Sequence, residues 1–234
     1  MNPISHDEMV NQLAERAEKL VGRFLPNDTF RKFSQPNTRM MVAVMALRYH
    51  HHDLAYDIFH TIAVEGPKED QNEHFAYVRS LAEMAEINGS RGNYELAIQQ
   101  MEEAISQYPP QMGYMMSIEH LKVYLCDYYF HKGEQEKAIT MCKRLIEEKK
   151  EEFYSYSSQE EAKSTVGPSL CYAIHQLALF YRQMEWWQEA LAWMKELYLF
   201  ALQINYELWD KAEDKENSGE RKEAFDMYQE AISY

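Results

Sequence analysis

One register governs this sequence. Five alanines, Ala55, Ala97, Ala138, Ala190 and Ala224, are each preceded by another small residue twelve positions earlier: Ala43, Ala85, Cys126, Ala178 and Ala212. Other positions repeat around them. Four residues after each anchor stand Phe59, Met101, Cys142, Met194 and Tyr228, and seven after it Ile62, Ala104, Leu145, Leu197 and Ala231. One before each small partner come Val42, Met84, Leu125 and Leu177, with Lys211 breaking the series in the last unit. Steps of three, four and seven are helix steps. Self-similarity at this spacing is the mark of stacked repeats, because one unit alone cannot bury its apolar face.

The repeat is legible in full units. GNYELAIQQMEEAISQYPP, Gly92 to Pro110, opens on a Gly92-Asn93 turn and closes at Pro109. GEQEKAITMCKRLI from Gly133, WWQEALAWMKEL from Trp186, GERKEAFDMYQEAI from Gly219 and HHHDLAYDIFHTI from His50 follow the same pattern. These residues resemble the tetratricopeptide repeat (TPR) superfamily, in a long-repeat form, over about 36–234 and most strongly over 78–200. The resemblance implies an all-α fold: an α-α superhelix, or solenoid, of antiparallel helix pairs, with small residues where the two axes of a pair approach closely. Departures are visible. The anchors lie 42, 41, 52 and 34 residues apart, against a standard period of about 34. The aromatic expected at the start of each first helix is replaced by Arg39, Leu81, Lys122, Ile174 and Leu208.

Ahead of the repeats, Ser5 and Glu8 predict a capping box. Val10, Leu13, Ala14, Ala17, Leu20, Val21 and Phe24 then form an apolar stripe that ends at Pro26. The organisation expected is a single helical-repeat domain over 1–234. It comprises an extra N-terminal helix with its connector (1–35) and about five helix pairs (36–234). Linkers fall at 107–117, with Pro109, Pro110 and Gly113, and at 151–168, a Ser- and Glu-rich insertion ending in Gly167-Pro168. The second accounts for the 52-residue interval and reads either as a plain surface loop or as one that closes over a ligand. Between Trp187 and Asn217 no Gly or Pro interrupts the stripe. That stretch is one long helix or two helices with a tight turn near Gln203 to Asn205.

Composition narrows the function classes. A formal charge of -14 repels a phosphate backbone or an anionic bilayer, and Lys143 to Lys150 reads as an exposed helix face rather than a basic patch. No nucleic-acid or membrane partner is therefore expected. Cys126, Cys142 and Cys171 show no metal spacing and read as small buried hydrophobes in a reducing compartment. With no run of 18 apolar residues and no basic-then-apolar start, the expected location is cytoplasmic. Glycine-rich phosphate loops, GxSxG and HExxH are absent from the sequence, so no catalytic residue and no cofactor are assigned. His50, Asp53, Asp57 and His60 share helix spacing and suggest a remote metal-dependent enzyme. The repeat register instead places His50 to His52 in a turn and the rest on an exposed face, so no metal site is assigned.

Stacked pairs expose one concave face lined by the first helix of each pair. In this register the partner-binding groove comprises Arg48, Arg79, Glu86, His120 and Asp127, followed by His131, Tyr172, His175, Arg182, Tyr206 and Trp209. Arginine, histidine and aromatic residues grip peptides through charge-assisted hydrogen bonds and flat apolar contact. The leading expectation is a protein- or peptide-binding scaffold or adaptor. The resemblance extends this to a peptide-responsive regulator. The alternative is a structural homo-oligomeric subunit: the chain stops at Tyr234 and no later helix shields Phe225, Met227, Tyr228 and Ile232, so a homodimer would form through this uncapped C-terminal face.

Overall fold

The computed structural model describes residues 5–113 and 115–233. Residues 1–4 of the N-terminal segment, Tyr114 of the first linker and the chain end at Tyr234 lie outside the described residues. Two compact units are present, Met1–Leu121 and Lys122–Tyr234.

The first unit begins with α1 (His6–Val21), capped by Ser5, whose Oγ accepts from the Glu8 amide at 3.2 Å. The reciprocal bond from the Glu8 side chain is not formed among the described residues. A 3₁₀ turn, Thr29–Lys32, precedes α2 (Pro36–Arg48), which opens with proline where its missing N–H costs nothing. Then come α3 (His52–Ala63), α4 (Gln71–Ser90), capped by Asp70, and α5 (Tyr94–Ser106). The stripe of α1 (Val10, Leu13, Ala17, Val21) packs on Val42, Ala43 and Ala46 of α2 and on Leu54, Ile58 and Phe59 of α3. Arg39 occupies an expected aromatic position and is buried. Its guanidinium pairs with Glu65, which also meets His6 at 3.0 Å and Lys68 at 3.1 Å. Burial opposes the charge on Glu65, but Lys68, Arg39 and His6 hold its carboxyl below the ordinary value.

The helix α6 (Ile118–His131) leads into the second unit, which continues with α7 (Gln135–Ser155), α8 (Gln159–Thr165), α9 (Gly167–Gln183) and α10 (Trp187–Glu196). A 3₁₀ turn (Leu197–Leu199) and strand β1 (Gln203–Ile204) connect to α11 (Tyr206–Asn217), α12 (Arg221–Ala231) and strand β2 (Ile232–Ser233).

The small-residue register is the seam of the fold. Ala43 and Ala55, Ala85 and Ala97, Ala178 and Ala190, and Ala212 and Ala224 are fully buried, as is Ala138, with Cys126 all but so. The bulky positions four and seven residues on, from Phe59 and Ile62 to Tyr228 and Ala231, are buried too. The turn inside each pair is equally regular. Five residues before each anchor the backbone is left-handed, at His50 (φ 63°), Gly92 (77°), Gly133 (98°), Glu185 (61°) and Gly219 (85°). The next amide donates back to the preceding helix at 2.9 Å each time: His51 to Ala46, Asn93 to Asn88, Glu134 to Tyr129, Trp186 to Tyr181 and Glu220 to Lys215. This is the Schellman closure, and it favours glycine because a Cβ is strained there.

The structure resolves the two open segments. The insertion at 151–168 is helical rather than an irregular loop. The helix α7 runs on to Ser155 with Phe153 buried, and Ser158 caps α8 by accepting from Glu161, burying Ala162. The stretch 187–217 is two helices, because Asn205 accepts from the Leu208 amide at 3.2 Å and starts α11 afresh. The all-α expectation did not include the antiparallel β1–β2 ladder, which pairs Gln203 with Ser233 and Ile204 with Ile232. Gly167 makes room for this connector, since a Cβ there would lie 2.9 Å from the Phe200 carbonyl oxygen.

Three stability changes follow. Replacing Ala97 with Leu should lower the unfolding free energy by about 1–3 kcal/mol in urea titration, through overpacking of the seam. A Cβ at Gly133 meets nothing within 4 Å, so Gly133→Ala carries only the torsional cost, about 1 kcal/mol. Glu185→Gly should shift stability the opposite way by a smaller amount.

Candidate functional site

In the first unit, Arg48 is exposed at the end of α2 and carries no polar contact among the described residues. Arg79 donates from Nε to Glu83 at 2.7 Å, one turn along α4, and Glu86 lies on the same face, a turn further. Burial, reinforced by the Glu83 carboxylate and opposed by Arg79, pushes Glu86 up to about 7. His120, half-buried in the first turn of α6, is held below its usual range by burial, against the pull of Glu119.

The second unit brings candidates together. On α6, Asp127 accepts from Gln176 Nε2 of α9 at 2.9 Å and lies 3.4 Å from His131 Nε2. Burial raises the Asp127 carboxyl above its usual range, while His131 and Gln176 oppose the shift. One turn back, Tyr124 meets Tyr172 of α9 edge-to-face at 6.2 Å. Beneath this polar face the rings of Phe130 and Phe180 stack at 4.4 Å, fixing the two helices side by side. Both helices thus present one cross-linked patch of carboxylate, carboxamide, imidazole and phenol.

Between Tyr172 and Gln176 on α9, His175 borders a cavity of about 320 Å³ lined by Met194, Leu197, Gln229, Ile232 and Ser233. Burial lowers the His175 pKa, with Arg182 adding to the effect and Gln229 opposing it, so the imidazole is neutral at pH 7. Met194, Leu197 and Ile232 give it apolar surface and His175, Gln229 and Ser233 polar groups, the chemistry of a pocket that takes an apolar side chain and orients it by one or two hydrogen bonds.

Two groove candidates have other work. Arg182 donates to Asp226 at 2.9 Å and lies 5.1 Å over the Phe225 ring, tying α9 to α12. Trp209 is only 7% exposed, set between Tyr198 and Tyr228 with its Nε1 donating to Glu213. Tyr206 is exposed at the start of α11, its ring 6.4 Å from that of Tyr198. The face read as uncapped is covered as well. Phe225 and Tyr228 are fully buried and Ile232 nearly so, because α12 packs back on α10 and α11 and β2 pairs with β1. Of the apolar side chains on which self-association rested, Met227 alone stays partly exposed.

Asp53 and Asp57 pair with Arg91 (2.5 Å) and Arg16 (3.3 Å), and His60 stacks on Tyr56. Among the described residues no three His, Cys, Asp or Glu converge as metal ligands, and no helix is long and apolar enough to cross a membrane. Sequence reasoning missed Tyr124 and Gln176. Tyr124 stands three residues before Asp127 and seven before His131, so helix spacing alone would have added it. Nothing in the spacing marks Ile232 and Ser233, which reach the cavity through the ladder.

No family model matches this chain, and no curated protein matches it. Among solved structures, two crystal structures of a protein from Podosopora anserina, described as a kinesin light chain with nearly identical TPR-like repeats, are similar to it. Both are 17% identical and cover 82% of this chain and 86% of that one, with TM-scores of 0.57 and 0.56. The fold is a TPR-like helical repeat. The long spacings between its anchors come from α4, from the linker at 107–117 with its 3₁₀ turn Pro110–Met112, and from α7 and α8, which lengthen individual TPR-like units without disturbing the seam.

The pH dependence at Glu86 is open to measurement. Its folded-state pKa lies above the ordinary 4.5, so the stability this group contributes is full below pH 4.5 and is lost as pH rises through about 7. The span from 4.5 to about 7 corresponds to about 3 kcal/mol. In urea titrations Glu86→Gln should match the wild type near pH 4 and exceed it at pH 8.

Proposed function

We propose that this chain is a non-catalytic protein-binding module that receives a peptide or helix of another protein on the α6–α9 face of its second unit. The observation that carries this reading is the Asp127–Gln176 bridge beside the Tyr124–Tyr172 pair. It holds aromatic and hydrogen-bonding groups of two neighbouring helices in one fixed patch. A side chain fixed in the free protein loses less entropy on binding, so a patch held this way binds more tightly than a mobile one of equal area. The TPR-like fold supports the reading in general terms, since stacked helix pairs present extended surfaces of this kind. The cavity bordered by His175, the residue beside Gln176 on α9, supplies an anchor for an apolar side chain of the same partner.

A peptide array probed with the intact protein, followed by fluorescence anisotropy on the hits, tests this. Tyr172→Ala and Gln176→Ala should each weaken the best peptide by about 10-fold or more, and His175→Leu should do so for peptides whose apolar residue is essential. Leu96→Ser, an exposed change on α5, serves as the control. If the α9 variants fold as the wild type by circular dichroism and bind every hit equally well, the assignment fails.

A further inference from the structure

Of the six large apolar side chains that the second unit exposes among the described residues, five gather at the connector between α10 and α11. Tyr198 is 38% exposed, Leu199 56%, Leu202 49% and Tyr206 62%, with Tyr154 of α7 at 64%. A loop with free backbone could fold such groups inward. This one is pinned. Phe200 is buried, its ring 5.0 Å from Phe153 and 6.2 Å from Tyr154, and its carbonyl sits against Gly167. The Ala201 amide donates to Leu197 at 3.0 Å, Gln203–Ile204 is laddered to Ile232–Ser233, and the Asn205 amide donates to Ala231 at 2.8 Å. Each anchored residue forces its neighbours outward, so the apolar groups stand in water on rigid supports. Burial of a large apolar side chain is favourable, a gain the isolated unit forgoes several times over. Contiguous exposed apolar surface on rigid backbone is the mark of an interaction site.

The charges beside the patch indicate its occupant. Glu207, Asp210 and Glu213 stand along α11 next to Tyr198 and Tyr206. The Tyr198 ring lies 6.4 Å from Tyr206 and 5.1 Å from Trp209, whose Nε1 donates to Glu213 at 3.2 Å, and Tyr206, then Asp210 and Glu213, raises the Tyr198 phenol pKa. Lys211, the one cation on that helix before its last turn, is taken by Glu207 at 2.6 Å. An apolar patch with an acidic flank complements a helix with apolar residues on one side and Lys or Arg beside them. A second copy of this chain is a poor fit, because each copy carries a charge of -14; an anionic bilayer is repelled for the same reason.

We infer that Tyr154, Tyr198, Leu199, Leu202 and Tyr206 form a second docking surface, apart from the α6–α9 face, for a basic amphipathic helix of a partner protein. The probe is a labelled Leu/Lys amphipathic peptide of about 18 residues, with a Leu/Glu peptide of the same pattern as its counterpart, titrated into the full chain at about 0.15 M salt. The Leu/Lys helix should bind. The double change Leu199→Ser with Tyr206→Ser should weaken it by at least about 10-fold, and Leu96→Ser should leave it unchanged. Should the serine variant lose its fold, Asp210→Lys with Glu213→Lys gives the same answer: weaker Leu/Lys binding and a gain for Leu/Glu. Binding to the α6–α9 face should be untouched by either variant, which separates this surface from that one. The inference is overturned if folded variants bind the Leu/Lys helix as tightly as the wild type, or if Leu/Glu binds the wild type equally. It is overturned too if light scattering shows dimers that Leu199→Ser dissolves, or if phosphatidylserine vesicles, rather than the peptide, bind through the patch.

Discussion

Everything in this molecule depends on how closely two helices can lie. A large side chain at the crossing would push the axes apart and lift the flanking residues out of contact. With Ala or Cys at both places, Phe59, Met101, Met194 and Tyr228 reach across and are buried. Close approach is the condition for interior packing density here, and that density leaves little tolerance for added volume. Lys211 shows the limit of the rule: in the α11–α12 pair the position beside the small residue is exposed and ion-paired with Glu207.

The turns enforce the same geometry from the backbone side. Five left-handed residues and five closing hydrogen bonds of equal length reverse the chain in the same manner each time. Glycine occupies three of the five positions. His50 and Glu185 adopt the conformation despite a Cβ, held there by the closing bond and by the seam beyond it. Extra sequence is accommodated away from this frame: α7 and α8 absorb the long insertion, and the β1–β2 ladder fastens the connector that Gly167 admits.

Charge is distributed according to what the frame leaves exposed. Glu65 gathers Arg39, His6 and Lys68 at the base of the first unit, so a buried arginine replaces the ring expected there. Glu86, without such a partner among the described residues, is held near neutrality by burial. In the second unit, Asp127 takes the Gln176 carboxamide and the His131 imidazole rather than a lysine or arginine, which keeps that face polar. The two surfaces argued for here differ in kind, one hydrogen-bonding and one apolar with an acidic edge.

The helices, their pairing and the seam were written in the sequence, because spacing alone fixes which residues of a helix share a face. The reversals at Gly92, Gly133 and Gly219 were legible for the same local reason, and the cap at Ser158 was present in the letters though it passed for loop. What only the tertiary structure decided is which neighbour covers each face. Arg182 and Trp209 stand at outward positions of their helices, yet α12 reaches them with Phe225, Asp226 and Tyr228. The same helix closes the end that the sequence left bare, and the ladder behind it completes the His175 cavity. Periodicity is a property of one helix. Coverage is a property of two, and it depends on distances that no single stretch of sequence carries.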